Sequence, residues 1–169
     1  LSTAKLDSDY LAEVCRKLHI TPNALFCAVF GFVLACFKGQ NQAFFNSICN
    51  ARPQAALESA LGMFTRTYPI KVDFKADLSI VDFTQQIQQE ISANLGFPDY
   101  SYAELSADFD LRNLPSLIYQ GDFLQSFAFN GQQLAIQHLE HEENGVLALE
   151  VYVNKQELRL RFSWQEPLY

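Results

Sequence analysis

Apolar positions along the chain first recur with a helical period. Tyr10, Leu11, Val14, Cys15 and Leu18 follow the acidic stretch Asp7, Ser8, Asp9, which predicts a helix with one apolar stripe and an acidic start. Thr21 then precedes Pro22, the pairing of an N-cap with proline at the first helical position. Residues 24–37 contain no strongly polar side chain. That run is shorter than the ~18 residues a membrane span needs. It reads as a helix buried on nearly all sides, running to Lys38 and stopping at Gly39.

The period then changes. Residues 43–49 read as a strand and 50–62 as a loop, with one helical turn around 55–60. Residues 64–74 alternate loosely around Pro69, which predicts an edge strand or a bulge. Asp77 or Ser79 caps a helix with a buried stripe of Ile80, Phe83, Ile87, Ile91 and Leu95. Gln85, Gln86, Gln88, Gln89 and Glu90 form its wet face, and Gly96 ends it. A short helix follows over 102–107, then a strand over 116–119. The remainder reads as strands: 134–139, a hairpin at Asn144 and Gly145, then 146–153 and a turn at Asn154 and Lys155. Last, Leu158, Leu160, Phe162 and Trp164 alternate with Arg159, Arg161 and Ser163. The predicted class is an α+β layered sandwich, a mixed β-sheet with helices packed on one face.

Composition narrows the function classes. A chain of 169 residues with 49% hydrophobic and 14% aromatic content has enough apolar surface for one globular core, and its 15 phenylalanines are the main filler. Twelve Lys and Arg against 19 Asp and Glu leave a net charge of −7. No basic stripe exists to neutralise phosphates, so nucleic acid and anionic membrane are poor partners. No charged segment followed by an apolar core and a small-residue cleavage site opens the chain, so no signal peptide is expected.

Metal and nucleophile signals are weak. Cys15, Cys27, Cys36 and Cys49 contain no C-x-x-C pair. Cys27 and Cys36 fall nine residues apart on one helix and point to opposite faces. All four read as buried, reduced thiols of a cytoplasmic protein. His19, His138 and His141 form no H-E-x-x-H. His138 and His141 read as solvent-face residues near a hairpin, the alternative being a catalytic His141 beside Glu140, Glu142 or Glu143. With no G-x-S-x-G elbow and no Gly-rich phosphate loop, neither a metal site nor a catalytic residue is assigned.

Several landmarks taken in order resemble one family. The helix opened by Thr21 and Pro22 ends at Gly39 and Gln40, and a strand leads to Ala51, Arg52 and Pro53. Then comes the stretch Leu61, Gly62, Met63, Phe64, Thr65, Arg66, Thr67, Tyr68, Pro69, Ile70, Lys71. Further on lie Tyr100, Ser101, Tyr102, Ala103, Glu104, Leu105, and then Arg112, Asn113, Leu114, Pro115, Ser116, Leu117. In this order they resemble the C-terminal half of the condensation domain of nonribosomal peptide synthetases, within the chloramphenicol-acetyltransferase-like superfamily. That family typically carries an Arg-Pro step, an I-G-x-F-V-N-T-x-P-x-R loop, a Y-P-F/Y segment and an R-N-P-L strand. The resemblance covers nearly all of residues 1–169. Three departures stand out: Arg66 replaces the family's Asn, Ser101 its Pro, and Asn46 a glycine in the strand before the Arg-Pro step. The family's H-H-x-x-x-D-G motif belongs to the N-terminal half, and this chain has no His-His pair. Residues 166–169 resemble the turn leading into the family's final helix.

The resemblance implies half of an acyltransferase, inactive alone. In such an enzyme the phosphopantetheine arms of two carrier domains enter a tunnel from opposite faces, and an amine attacks a thioester to form a peptide bond. The chemistry rests on proximity in a shielded site, with no metal or bound organic cofactor. By matching position, Gly62, Met63, Phe64, Thr65, Arg66 and Thr67 line the tunnel, where Arg66 would narrow it or bind an anionic group. Arg52 anchors the preceding turn, reading first as a structural salt bridge, and Tyr100, Tyr102 and Leu105 are packing residues. A crossover within 120–137 carries Phe123, Phe127 and Phe129 toward the absent half. The implied partners are carrier domains and that N-terminal half. Other readings stay open: half of an epimerization or heterocyclization domain, a standalone acyltransferase, or a non-catalytic carrier-binding module, which Arg66 favours.

Overall fold

Thr21 and Gly39 delimit the central helix as their residue types require. In the computed structural model, which describes residues 2–4, 7–50, 61–75, 77–96, 101–111, 113–121, 127–129, 132–134, 147–153 and 158–165, the Thr21 hydroxyl accepts from the Ala24 N–H at 3.2 Å. Gly39 closes the other end in the left-handed region, with φ 60°. In order, the elements are β1 (Ser2–Ala4), α1 (Ser8–Leu18), α2 (Pro22–Lys38), β2 (Gln42–Asn50), β3 (Thr65–Asp73), α3 (Ile80–Leu95), α4 (Tyr102–Asp108), β4 (Ser116–Gly121), β5 (Phe127–Phe129), β6 (Gln132–Leu134), β7 (Leu147–Val153) and β8 (Leu158–Trp164).

Six strands form one mixed sheet in the order β1-β8-β7-β4-β2-β3, and β5 pairs with β6 separately. The steps β2–β4 and β4–β7 are parallel, while the others are antiparallel. This is the expected α+β architecture. Alternation along the strands divides the sheet into two faces. Phe45, Ile70, Leu117 and Val151 are fully buried on one face, beneath the helical layer. There the Phe30 ring of α2 meets Phe45 edge-on, with centroids 5.2 Å apart.

Pro69 lies on an edge strand, as its missing N–H demands. α3 covers that edge. Glu90 Oε1 accepts from the Lys71 N–H at 3.2 Å, and Asn94 Nδ2 donates to the Pro69 carbonyl at 3.4 Å. The outer backbone groups of β3 are thereby withheld from a foreign strand.

Three helical expectations are corrected. α2 is not buried on nearly all sides: Val29, Phe32, Val33 and Phe37 are exposed. An apolar sequence cannot tell which faces have neighbours, and α2 has the sheet beneath it but no described element above. Cys36 lies on that open face, so only Cys15 and Cys27 are fully buried among the cysteines. In α3, Ser79 is the cap and Ile87 and Ile91 are buried, but Ile80 and Leu95 are exposed and Thr84 is buried in their stead. The Thr84 hydroxyl is satisfied by the Ile80 carbonyl at 2.9 Å. Nor is the glutamine face simply wet. Gln85 donates to the Leu18 carbonyl at 3.1 Å, and Gln88 Oε1 accepts from Thr21 N–H at 2.7 Å. These amides tie α3 to the α1–α2 junction.

Several expectations lie outside the described residues: the turn at 55–60, Arg52, Tyr100, Arg112, Phe123, the hairpin at Asn144 and Gly145, His138, His141 and residues 166–169. The same holds for the side chains of Phe127 and Phe129.

Candidate functional site

The stretch 61–67 leads into β3 at the sheet end where β2, β4 and β7 finish. Leu61 and Met63 stand fully in solvent. Gly62 has φ 155°, and a Cβ there would meet the Phe64 ring at 3.1 Å. Glycine therefore lets the chain fold back onto Phe64. From Thr65 the strand alternates. Thr65 and Thr67 pair with Asn50 and Ile48 and share the face away from α2. Arg66 pairs with Cys49 and turns to the helical side. Its guanidinium donates to the Asn94 carbonyl at 2.7 Å, in the last turn of α3. A cation there complements the negative end of the helix. The expectation that Arg66 narrows a tunnel or holds an anion therefore meets a guanidinium already engaged with backbone.

The helical side of this sheet end is chemically quiet. Burial pushes the Cys27 thiol up to about 12, with the neighbouring Ser47 hydroxyl pulling the other way. Burial likewise raises the Tyr68 phenol. Burial raises the Cys49 thiol too, against the neighbouring Arg66 charge. A thiol held so high is a poor nucleophile.

The other face is polar at its centre. Pro69, Asn46, Ser116, Ala148 and Ser163 form one row across β3, β2, β4, β7 and β8. Asn46 is 7% exposed. Its Nδ2 donates to the Tyr102 hydroxyl at 3.1 Å, and that hydroxyl donates to the Leu111 carbonyl at 3.0 Å. Tyr102 thus moors α4 to the far face, while α1–α3 occupy the first. The next row holds Glu150, 3% exposed, opposite Arg161. Arg161 lies 3.6 Å from Glu150 Oε1, and the Tyr152 hydroxyl also donates to the Glu150 carboxylate. Removing one member of such a buried pair leaves the other uncompensated. Sequence reasoning missed Asn46 and Glu150 as candidates. Period-2 spacing puts Glu150 and Tyr152 together, but nothing local says that their face is covered.

Ser101, where the family usually has proline, caps α4. Its hydroxyl accepts from Glu104 N–H at 3.2 Å, and its own N–H donates to Glu104 Oε2 at 2.9 Å, a complete capping box. The Ser101 backbone N–H and then its hydroxyl hold the Glu104 carboxyl below its ordinary range. A depressed folded value means that this contribution is full above the unfolded carboxylate value and is lost as pH falls through the folded one. Acidification is therefore expected to lower the protection of Ser101 N–H, its exchange rate taken relative to an unstructured chain at the same pH, with a midpoint below the usual glutamate range. Glu104→Ala should remove that pH dependence. A Ser101 exchange profile unchanged by the substitution would count against the box.

Among the described residues no group of three or more His, Cys, Asp and Glu side chains gathers as a metal site. No single described helix is long and apolar enough to cross a membrane.

A mixed sheet with its three longer helices layered on one face, the short α4 on the other, and a glycine-containing loop at its strand ends makes an α+β unit. The Condensation domain family profile matches residues 2–169, and the chain belongs to that family. Bacitracin synthase 1 of Bacillus licheniformis is 23% identical over 184 residues, 100% of this chain and 3% of that protein. In shape the chain is similar to the first condensation domain of the CDA synthetase, with a TM-score of 0.75 and 12% identity, over 99% of this chain and 40% of that one. It is also similar to the epimerization domain from the third module of tyrocidine synthetase B, with a TM-score of 0.68 and 17% identity, over 99% of this chain and 43% of that one. The chain thus spans a few per cent of its curated relative and about two-fifths of the solved domains.

Proposed function

We propose that this chain is the C-terminal half of a condensation domain that joins two carrier-borne building blocks by a peptide bond. The observation that carries the reading is the extent of the match: the family profile runs through residues 2–169, yet the chain spans 40% of a solved condensation domain. In the proposed reaction the acceptor amine attacks the donor thioester carbonyl. The C–N bond forms and the C–S bond breaks. The amine loses its proton, and the donor's phosphopantetheine arm leaves as a thiol. Holding both tethered reactants in one shielded space supplies the acceleration.

This half supplies tunnel wall and carrier-binding surface. The wall is Gly62, Met63, Phe64, Thr65 and Thr67, with Arg66 bracing it from behind through α3. Arg52, Tyr100 and Tyr102 support that wall. The proton-handling H-H-x-x-x-D-G motif is the contribution of the N-terminal half, so this chain is inactive alone. It binds no metal or organic cofactor of its own. Its partners are carrier domains and the N-terminal half, in the cytoplasm.

The full polypeptide carrying this chain, mixed with loaded donor and acceptor carriers, is expected to release peptidyl product on the acceptor. Residues 1–169 alone should release none. Peptide formation by residues 1–169 alone would overturn the half-domain reading. The likeness to an epimerization domain favours a second reading, in which the full polypeptide inverts the carrier-bound residue without forming a peptide. Chiral analysis of the hydrolysed product separates the two.

A further inference from the structure

We propose that the side-chain carbonyl of Asn46 is an acceptor kept for an amide N–H of the thioester-borne substrate, received beneath α4. The proposal rests on the condensation reading for the identity of that substrate. Its physical basis is an orphaned group. Among the described residues, the buried Asn46 Oδ1 has no hydrogen-bond partner, so its desolvation is left unrepaid. The orientation of the amide follows from the bonding chain. The Leu111 N–H is spent on the Phe109 carbonyl and its own carbonyl faces Tyr102, so the Tyr102 hydroxyl spends its one proton there. Tyr102 must then accept from Asn46, which sets Nδ2 toward Tyr102 and leaves Oδ1 facing away.

The side chains flanking Asn46 in its row are small, and the backbone groups beside it bring no free N–H. Pro69, its partner on β3, has no N–H. On the other side its register partner is Ser116, and beyond that lies Ala148. The Asn46 backbone N–H is already taken by the Pro115 carbonyl at 2.7 Å. A row of small side chains with one buried acceptor suits an extended, amide-bearing chain lying across the strands. The cover is lightly held: α4 has seven residues and buries none of them fully. Its described hydrogen bonds to the rest of the fold run through Tyr102. Such elements open at low cost relative to global unfolding.

The amide N–H has two possible sources, the acyl group and the phosphopantetheine arm. Calorimetry on the intact polypeptide separates them with two probes. Pantetheine carries only the arm's amides, and an N-acetylaminoacyl ethyl thioester carries only the acyl amide. Each is paired with an analogue in which the amide N–H is replaced by oxygen. Asn46→Ala is expected to weaken one amide probe tenfold or more while changing its oxygen analogue less than twofold. Equal binding of both amide probes to Asn46→Ala and to the unaltered protein would overturn the proposal and leave Oδ1 to a bound water. An equal loss on amide and oxygen analogues would also overturn it, as a structural effect. Failure of the carrier assay would instead sink the condensation reading and leave this result standing.

Discussion

Phe45→Ala is expected to destabilise the fold by about 3–5 kcal/mol, a large part of the roughly 5–15 kcal/mol a domain has to lose. Phe45 lies on β2, between β3 and β4, and has no exposed surface. Ile70 faces it across the antiparallel pair, and the Phe30 ring closes over it from α2. Truncation removes the centre of the contact between sheet and helical layer, and sheet backbones cannot close such a hole. The adjacent Phe44 is the control. It is 40% exposed on the opposite face, so Phe44→Ala should cost under about 1 kcal/mol. In urea, with a slope of about 2 kcal/mol per molar, the Phe45 variant's midpoint should fall by roughly 2 M and the Phe44 variant's by less than about 0.5 M. Comparable shifts for the two would contradict the alternation of faces on which the site description depends.

What was legible in the residues is what local physics decides. Thr21 before Pro22, and Gly39 after Lys38, bound α2 because caps and left-handed turns act within a few residues. The alternation from Leu158 to Trp164 made β8 readable for the same reason. β1 was not readable. Its three residues are a strand only because Ser2 pairs with Leu160, at the far end of the chain. The parallel β2–β4–β7 order is likewise fixed by long-range pairing. The loop from Gly62 to Thr67 stood out through its motif, but the side chains that crowd the far face did not. Glu150 sits in an ordinary strand pattern, and its burial beside Arg161 and Tyr152 is a tertiary fact. Asn46 showed itself only as a departure from a glycine. Its unfilled acceptor became visible once Tyr102 and Leu111 were placed around it.

Gly31→Ala should also be destabilising, against the usual gain from that exchange. In an open helix, alanine for glycine is worth about 1 kcal/mol in propensity. Here α2 crosses β3 at Gly31, and a Cβ would stand 2.5 Å from Val72 Cγ2 and 2.8 Å from Val72 Cβ. The nearer atom could rotate away, but the Val72 Cβ is fixed to the backbone. α2 or β3 must therefore move, at an overpacking cost of about 1–3 kcal/mol. The net expectation is a lowered thermal midpoint for Gly31→Ala and a larger drop for Gly31→Val, whose two γ-methyls enter the same space. Val72→Ala should be destabilising alone, yet partly restore Gly31→Ala, giving a favourable coupling in the double-mutant cycle. A neutral or stabilising Gly31→Ala would mean that α2 stands farther from β3 than the structure places it. The consequence reaches the site, because β3 begins at Thr65 and carries Thr67 on the polar face. A helix displaced at Gly31 pushes on the strand that positions the loop. If the proposed condensation function holds, Gly31→Ala in the full polypeptide should accordingly impair carrier-dependent turnover more than Phe44→Ala does, even at temperatures where both variants are folded.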